Sequence, residues 1–531
     1  MTAKIKSARM VPPMPPAIER LDFFCQSPEN LAPPREKCAV VGIIDRLGQD
    51  VSPLVVLGLE ALQGRGQDGA GLASFKPDGS FPSTFRLRKK PGLVKDVFFQ
   101  DSILDACDLR SPLAIGHTRY ATAGTKGQES CFQPFVVESD FGTLALAQNG
   151  NTINTGQLRD LLSPHSITYQ SDSDGEVIAH LITVSPGKSW PEKIENALRF
   201  VRGSYSLVMA TGDGQLIAVR DPLAIRPLWA GYNSQSVIFA SETVAFQRIP
   251  VHMREEVKGG QMIVVEKGGL IQKKQIFPSD CTAECLVERL YIGHVMSEYD
   301  GQELKKMREK MGENLAREHP MPEVDIICGI PDSALPIAEG YARAFGRRVN
   351  PVIIKDRYSA GIRSFIQGTD SGRVAVLEGK FYVSDEVDGK SVLTIDDSGI
   401  RGATDEILNA KLKQRGAKEI HVLKASPKFV DICDLGIDIS DLKRLIALES
   451  DGNGWYRELT EAEIAQKIGA NSVGYLSLKG LIRATGRPVD DFCTHCWTHQ
   501  HPILDHQAEE LWVDSGALQV PKSSGTLYVS S

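Results

Sequence analysis

Short apolar runs and amphipathic segments alternate along the chain, and their order changes near residue 280. In the first part, runs with the length of a buried strand are separated by loops or by segments with the 3.6-residue period of a helix. The strand-like runs are 38–45, 144–147, 205–210, 215–219 and 236–240, and the helical segments are 176–184 and 191–201. Blocks of strands with helices between them predict an α+β domain of packed sheets flanked by helices.

After residue 280, strands and helices alternate. Strand-like runs at 324–329, 349–354, 391–395 and 420–425 are interspersed with helical patterns at 333–345 and 404–415. This order predicts an α/β domain with a doubly wound parallel sheet. The Pro-rich leader and the last part of the chain have no place in either core. We therefore divide the chain into a leader or propeptide (1–37), two domains (38–279 and 280–505) and a carboxyl-terminal tail (506–531).

Length and composition agree with two domains, because 531 residues are too many for one hydrophobic core. A net charge of −7 argues against bulk binding to nucleic acids or anionic membranes. No apolar run approaches the ~20 residues that span a bilayer, and the leader lacks the apolar core of a secretory signal. We therefore expect a cytoplasmic protein. Ten cysteines are too few for a disulfide scaffold, but some are candidate metal ligands.

The segment 392–404 combines a strand, two adjacent acids and a phosphate-type loop. A β-branched apolar run ends at Asp396 and Asp397, small residues follow, and a helical pattern begins near Thr404. A buried parallel strand that ends in this way delivers its last residues to a ligand. The loop offers backbone N–H groups to a phosphate, and the two carboxylates suit the vicinal hydroxyls of a ribose. The alternative is a surface turn rich in Asp and Gly.

The first part of the chain carries four short motifs, each of which is weak by itself. Cys38 opens a buried strand, where a cysteine is commonly just a small apolar residue. Arg119 lies among small residues, and the pair Asn149 and Gly150 is typical of a turn. Asp174 precedes a helix, where an acid commonly serves only as a cap. The motifs become informative together, through their order behind a strand that begins with cysteine.

Together with the segments 62–68 and 221–228, these motifs resemble the class II glutamine amidotransferase domain of the N-terminal-nucleophile family. The resemblance implies an αββα sandwich in which Cys38 becomes the first residue once the leader is removed. Its own α-amino group, whose pKa lies near neutral, would act as the base. The thiolate would then attack the carboxamide of glutamine and form a thioester. The other implied roles are an oxyanion hole at Asn149 and Gly150 and glutamine binding by Arg119, Thr122 and Asp174.

The second half resembles type I phosphoribosyltransferases, which implies 5-phosphoribosyl 1-pyrophosphate (PRPP) as a substrate. Asp396 and Asp397 would hold the ribose hydroxyls, and Mg²⁺ would bind near them on the pyrophosphate. The other implied PRPP-binding residues are Asp332, Ser333, Lys355, Arg357, Ser398, Arg401, Gly402 and Thr404. The two halves together resemble the glutamine PRPP amidotransferase family, which makes 5-phosphoribosylamine, glutamate and pyrophosphate in the first committed step of purine synthesis.

Cys493 and Cys496 form a CxxC motif, which suits a redox pair, half of a metal site or coincidence. The sequences around Cys285 and Cys433 resemble those of cluster ligands in the iron–sulfur branch of the family. The resemblance therefore implies that these four cysteines hold a [4Fe–4S] cluster. Zinc also suits four thiolates, so residue chemistry alone leaves that alternative open. We expect the neighbouring residues His495, His499 and His501 to lie on the surface or beside the site rather than to bind the metal.

Several residues depart from the family pattern, among them Tyr382, which lies near a usual asparagine, and two extra residues between Tyr358 and Arg363. In the first half, Gly64 replaces a histidine and Ala224 replaces a glycine. In the second half, Ala334 replaces a glycine, Gly399 a β-branched residue and Ala403 a threonine. The last three lie in the phosphate-type loops, where an added or missing side chain changes how closely a ligand can approach.

Two rival functions follow from these features. Another class II glutamine amidotransferase would share the first half but would lack the loop that carries Asp396 and Asp397. A diverged, non-catalytic paralogue that binds PRPP or nucleotides as a regulator would account for Ala334, Gly399 and Ala403. The resemblance itself implies a catalyst that forms a homotetramer and binds purine nucleotides as inhibitors.

Overall fold

A computed structural model describes residues 37–76, 84–99, 108–120, 129–278, 281–356, 381–453, 455–503, 518–519 and 528–529. The strands of the amino-terminal half are β1 (Lys37–Asp45), β2 (Gly69–Phe75), β3 (Phe85–Pro91), β4 (Leu113–Tyr120), β5 (Phe135–Ser139), β6 (Gly142–Thr152), β7 (Gly203–Thr211), β8 (Leu216–Arg220), β9 (Trp229–Tyr232), β10 (Ser236–Ala240), β11 (Met253–Glu256), β12 (Gln261–Val265) and β13 (Ile271–Gln275). Its helices are α1 (Ser52–Ala61), α2 (Val94–Phe98), α3 (Thr155–Leu162), α4 (Asp174–Val184) and α5 (Trp190–Leu198).

The carboxyl-terminal half contains shorter strands and longer helices. Its strands are β14 (Glu284–Cys285), β15 (Glu298–Tyr299), β16 (Gln302–Glu303), β17 (Ile326–Gly329), β18 (Ile353–Lys355), β19 (Phe381–Val383), β20 (Ser391–Asp396), β21 (Glu419–Lys424), β22 (Leu448–Ser450), β23 (Tyr456–Glu458), β24 (Ser472–Tyr475), β25 (Phe492–Cys493), β26 (Leu518–Gln519) and β27 (Tyr528–Val529). Its helices are α6 (Leu304–Glu318), α7 (Leu335–Ala344), α8 (Ala403–Gln414), α9 (Glu461–Ile468), α10 (Leu478–Thr485) and α11 (His495–Thr498).

Two antiparallel sheets pack face to face in the amino-terminal half. One has the strand order β11-β9-β10-β1-β4-β2-β3, and the other has the order β13-β12-β8-β7-β6-β5. Strand β1 is apolar on both faces, because its alternate side chains enter different cores. Val40 and Ile44 pack between the sheets, whereas Val41 and Ile43 pack against α1. Helices α3, α4 and α5 cover the outer face of the second sheet, which completes the predicted αββα sandwich.

The carboxyl-terminal half is built on a parallel sheet with the strand order β17-β20-β21-β24. Alternation sends Leu393 and Leu423 to one face and Val392 and Val422 to the other. Helices α6, α7 and α10 cover the first face, and α8 and α9 cover the second. This arrangement confirms the predicted doubly wound sheet. It also brings the loops after β17 and β20 to the same edge, where such sheets bind ligands.

The bounds of the predicted elements shift by a few residues. The helix predicted from residue 333 begins at Leu335, and the one predicted from 404 begins at Ala403. The predicted domain boundary at 279–280, the leader and most of the tail lie outside the described residues, so the domain limits stay predictions. Among the described helices, none has the length and apolar character needed to cross a membrane.

Ala224 has a left-handed backbone conformation, with φ of 55°, although it carries a side chain. Its amide donates to the carbonyl oxygen of Asp221 at 3.0 Å, and its own oxygen accepts from Arg220 Nη2 at 2.8 Å. These contacts fix the turn in a conformation that costs a non-glycine residue about 1–2 kcal/mol. The family glycine at this position therefore has a conformational reason.

We expect Ala224→Gly to raise the free energy of unfolding by about 0.5–1 kcal/mol, because the relief of backbone strain exceeds the entropy cost of glycine. The matched control is Ala410→Gly, which lies on the exposed side of α8 and should cost about 1 kcal/mol. Thermal melting of the full chain compares the two. A loss of stability in both variants would contradict the assignment of strain to Ala224.

Candidate functional site

Cys38 lies near the start of β1 and is buried. Its Cα pairs with that of Arg119 on the neighbouring strand β4, so the candidate nucleophile and the candidate carboxylate-binding arginine are adjacent. The carbonyl oxygen of Cys38 accepts a hydrogen bond of 2.8 Å from Nε of Arg65. Arg119 donates to the carbonyl oxygen of Cys131, and its guanidinium lies 5.8 Å from the centre of the Phe132 ring. Two motifs that lie far apart in the sequence thus meet on neighbouring strands of one sheet.

Asn149 and Gly150 lie inside β6 and not in a turn after it, because pairing with β7 continues to the end of the strand. The side chain of Asn149 is fully buried, and its Oδ1 accepts from Nη2 of Arg226 at 3.4 Å. Its Nδ2 has no hydrogen-bond partner among the described residues. A buried amide N–H group without a partner costs about 1–3 kcal/mol, so this donor suits a ligand oxygen.

Gly150 is required at its position by the neighbouring strand. Its φ is 146°, and a Cβ there would lie 2.1 Å from the carbonyl oxygen of Ser204. Any side chain would therefore push β6 away from β7. The close approach keeps the backbone beside Asn149 in one position.

Asp174 is the first residue of α4 and is buried. Its carboxylate accepts from Nε2 of Gln148 at 2.9 Å and from the amide of Thr152 at 2.8 Å. Burial raises the pKa of Asp174, and these hydrogen bonds oppose the shift. The acid therefore does more than cap its own helix, because it also binds the strand that carries Asn149. The third predicted glutamine-binding residue, Thr122, lies outside the described residues.

His117 links the two strands that carry Arg119 and Asn149. Its Nε2 lies 3.1 Å from the carbonyl oxygen of Gln148. Burial and the charge of Arg119 lower the pKa of His117 to about 3, so the ring is neutral. Sequence reasoning did not single out this residue, although its place in the arginine motif was a signal.

In the carboxyl-terminal half, Asp396 ends β20 and Asp397 follows it. Nζ of Lys424 lies 2.8 Å from Asp396 and 2.7 Å from Asp405, and all three groups are shielded from solvent. Burial opposes the charge of Lys424, but the two carboxylates together raise its pKa. Sequence reasoning missed Lys424 and Asp405. The signal was a lysine that follows the two apolar residues at the end of a strand.

Asp397 is buried and joins the two phosphate-type loops. It accepts hydrogen bonds from the hydroxyls of Ser333, in the loop after β17, and of Ser398, the latter at 2.8 Å. Burial and the charge of Asp396 raise the pKa of Asp397 to about 6. In the first of these loops, Asp332 forms an ion pair with Lys355 on β18. The other predicted flap residue, Arg357, lies outside the described residues.

The loop after Asp397 leads directly into α8. Gly402 precedes the helix with φ of 74°, and a Cβ there would lie 2.9 Å from Ile446. The side chain of Arg401 forms an ion pair of 3.1 Å with Asp438. Thr404 is half-buried in the first turn of the helix. These residues surround the start of a helix, whose free N–H groups favour an anion.

The departures from the family pattern fit their surroundings. Ala334 has φ of −87°, a value that any residue adopts, and its methyl group packs in the core. At Gly399, a Cβ would lie 3.2 Å from the hydroxyl oxygen of Tyr475, so Tyr475 takes the place of a side chain on the loop. Ala403 is exposed at the start of α8. A Cβ at Gly64 would meet no atom within 4 Å, so the missing histidine leaves no cavity.

The four cysteines singled out from the sequence converge. Cys285 and Cys493 are paired in register on the parallel strands β14 and β25, and the thiols of Cys433 and Cys496 form a hydrogen bond. Burial raises the pKa of Cys285 to about 12, whereas the bond from Cys496 lowers that of Cys433 to about 7. Within the described ranges, no group of three or more His, Cys, Asp or Glu side chains has the geometry of a metal site.

Two histidine–carboxylate pairs flank these cysteines. Nδ1 of His499 lies 2.8 Å from Asp431, and Nε2 of His501 lies 2.9 Å from Asp434. The two acids surround Cys433 in sequence, so the pairs attach its segment to the segment of the CxxC motif. His495 stacks edge-on against His501, with the ring centres 4.9 Å apart.

The pKa of Tyr291 responds to groups from both halves of the chain. Burial raises its pKa well above the usual value, and the charge of Asp397 adds to the shift. Tyr120, which follows Arg119 on β4, also contributes to that shift.

Comparisons with known proteins agree with this geometry. Residues 117–248 match the family described as a glutamine amidotransferase domain. The amidophosphoribosyltransferase of Synechocystis is 35% identical over 93% of this chain and 96% of its own length. That of Bacillus subtilis is also 35% identical, over 89% and 95%, and that of the rat is 34% identical over 88% and 98%.

A solved structure of glutamine PRPP amidotransferase from B. subtilis, complexed with ADP and GMP, has the same fold. Its TM-score is 0.78 at 32% identity, and the match covers 88% of this chain and 98% of that one. The first rival function, another class II amidotransferase, is therefore wrong, because the similarity extends through both halves. The chain belongs to the amidophosphoribosyltransferase family and is an enzyme that makes 5-phosphoribosylamine from glutamine and PRPP, the first step of purine synthesis.

Proposed function

We propose that the family reaction is divided between two sites in this chain. Glutamine is hydrolysed at Cys38, and the released ammonia displaces pyrophosphate from C1 of PRPP beside Asp396 and Asp397. The observation that supports this division most directly is the buried Nδ2 of Asn149, which has no partner among the described residues. A donor left in that state is what a developing oxyanion requires.

In the glutamine site, the thiol of Cys38 attacks the carboxamide, and its α-amino group takes the proton once the leader 1–37 has been removed. Asn149 and the backbone of Gly150 donate to the oxyanion. Arg119 binds the α-carboxylate of glutamine. Asp174 binds the α-ammonium group of glutamine, and Thr122 also contacts the bound glutamine. Ammonia leaves as the thioester forms, and water then releases glutamate.

In the PRPP site, Asp396 and Asp397 accept hydrogen bonds from the ribose hydroxyls. The residues that bind the 5′-phosphate are Ser398, Arg401, Gly402 and Thr404, and those that bind the pyrophosphate are Asp332, Ser333, Lys355 and Arg357. The carboxylates at this edge are hard oxygen donors, which fit Mg²⁺ near Asp396 and Asp397. When bound, Mg²⁺ neutralises charge on the pyrophosphate. Tyr291 lines the path for ammonia between the two sites.

We further propose a [4Fe–4S] cluster on Cys285, Cys433, Cys493 and Cys496. The fit rests on the donor set, since four thiols converge and two of them share a hydrogen bond. When bound, the cluster cross-links three segments of the carboxyl-terminal half. We also extend to this chain the nucleotide binding of the B. subtilis enzyme, with purine nucleotides as inhibitors, a homotetramer as the assembly and the cytoplasm as the location.

We expect the purified chain, supplied with glutamine, PRPP and Mg²⁺, to release glutamate and pyrophosphate in equal amounts. Asp397→Asn should lower both rates about 10- to 100-fold, because hydrogen bonds to a charged group contribute about 1.5–3 kcal/mol. The matched control is Asp385→Asn, whose acid is exposed and pairs only with Arg415 among the described cations. Glutamate release that does not depend on PRPP would contradict the proposed coupling of the two sites.

Asn149→Ala should lower kcat for glutamine about 100- to 1000-fold, because one oxyanion donor is removed. Synthesis from added ammonia and PRPP should continue at the rate of the unmodified chain, since that step does not use the oxyanion hole. The two assays are run on the same preparation. Equal losses with both nitrogen donors would show that Asn149 has a structural role instead.

Protein purified without oxygen should contain about four iron and four sulfide ions per chain. Cys433→Ser should abolish the binding of both iron and sulfide and lower the melting temperature. Cys328→Ser, at a buried cysteine of β17 away from the four thiols, is the control and should keep them. Zinc in place of iron, with no sulfide, would replace the cluster by a zinc site.

A further inference from the structure

Two buried arginines of the amino-terminal half meet one carboxylate of the carboxyl-terminal half. Nη1 and Nη2 of Arg65 lie 2.8 and 2.7 Å from the two carboxylate oxygens of Glu288, a bidentate pair. Nη1 of Arg226 lies 3.0 Å from Oε1 of the same carboxylate. The exposed fraction of all three side chains is at most 2%, so water does not screen these charges.

Each arginine also contacts one part of the proposed glutamine site. Nε of Arg65 donates to the carbonyl oxygen of Cys38 at 2.8 Å. Nη2 of Arg226 donates to Oδ1 of Asn149 at 3.4 Å. Glu288 is therefore connected to the proposed nucleophile through Arg65 and to the proposed oxyanion donor through Arg226.

The contact between Arg226 and Asn149 decides the orientation of the amide. With Oδ1 facing the guanidinium, Nδ2 is the atom left for the substrate. Nη2 of Arg226 also donates to the carbonyl oxygen of Gly436 at 3.1 Å, which holds the guanidinium between the two halves. A shift of Arg226 would therefore move or rotate the oxyanion donor.

None of the other described acids replaces Glu288 as the counter-charge of Arg226. Glu242 lies 2.6 Å from Nη1 of Arg65, but its second oxygen accepts from Ser297 and from the amide of His294. Among the described acids, only Glu288 forms an ion pair with Arg226. Neutralising Glu288 would leave a buried guanidinium without a counter-charge, which is unfavourable.

The segment that carries Glu288 belongs to the transferase half. Glu288 begins a turn of π-helix, Glu288–Ile292, which contains Tyr291, and the charge of Asp397 helps to raise the pKa of Tyr291. Arg308 of α6 holds this turn, with Nε and Nη2 donating to the carbonyl oxygens of Arg289 and Gly293 at 3.2 and 2.7 Å. The turn that presents Glu288 to the two arginines is therefore held in place by a helix of the transferase half.

We propose that Glu288 is a positioning residue for the glutamine half-reaction, supplied by the transferase half of the chain. Its carboxylate holds Arg65 and Arg226, and through them it orients Cys38 and the amide of Asn149. The glutamine site is thus complete only when the two halves are docked. This inference rests on the roles proposed above for Cys38 and Asn149.

The test is Glu288→Gln, which keeps the size of the side chain and removes its charge. We expect kcat for glutamine to fall about 10- to 100-fold, less than the loss of an oxyanion donor itself. The KM for glutamine should change less than threefold, and synthesis from added ammonia should stay within twofold of the unmodified chain. The rate at which a glutamine-like electrophile alkylates Cys38 should fall with kcat.

Asp300→Asn is the matched control. Asp300 also pairs with a buried arginine of the same segment, Arg289, but it contacts neither Arg65 nor Arg226. Its φ of 51° suits asparagine. This variant should retain kcat with glutamine even if it melts at a lower temperature. A structural role for buried ion pairs in general would affect both variants alike.

Arg226→Lys provides a second measurement if Glu288→Gln does not fold. A lysine keeps the positive charge opposite Glu288 but lacks the planar fork that reaches Asn149, so it should reproduce the loss of kcat with glutamine alone. Equal losses with glutamine and ammonia, a rise in KM at constant kcat, or no effect would overturn the inference. If Asn149→Ala also kept its glutamine activity, the roles proposed for the glutamine site would fail instead.

Discussion

The two halves of the chain meet over charges that are fully buried in the docked arrangement. Arg65, Arg226 and Glu242 come from the first half, and Glu288 comes from the second. Removing an ion from water costs several kcal/mol, and the cost is offset only if every partner is present in good geometry. Because the amino-terminal half contributes two arginines and one acid, it needs the acid of the other half to balance them. The placement of both sites relative to each other depends on this contact.

The two proposed sites have opposite electrostatic requirements, and each is met by the polar groups around it. The proposed glutamine site keeps a buried donor, Nδ2 of Asn149, without a partner among the described residues, which would suit a developing negative charge. The proposed PRPP site instead gathers carboxylates as acceptors for ribose hydroxyls, and these carboxylates repel each other. Lys424 offsets the charge of Asp396, while hydrogen bonds from two serines hold Asp397. The contacts that hold Asp396 and Asp397 all come from the carboxyl-terminal half.

Substitutions in the phosphate-type loops do not by themselves indicate a lost activity. Gly399 lacks a side chain, but the hydroxyl of Tyr475 lies against the loop at that point. The backbone at Ala334 has no need of glycine. Ala224 is the exception, since its left-handed conformation stores strain in the turn beside Arg226. The hypothesis of a diverged, non-catalytic protein therefore loses its main support, because the residues around these loops accommodate the substitutions.

The sequence by itself predicted the two domain types, four of the eleven described helices and the motifs that carry Cys38, Asn149 and Asp397, since strand periodicity and loop composition are local properties. It also indicated the four cysteines. Only the tertiary structure decided which distant charges pair. Arg65 and Glu288 are 223 positions apart, and Lys424 looked like the polar end of a strand until Asp396 and Asp405 met it. Asn149 and Gly150 lie in a strand, although the dipeptide favours turns, because pairing with β7 outweighs the local preference. Pairing of buried charges and strands is set by packing, and packing has no local signature in the chain.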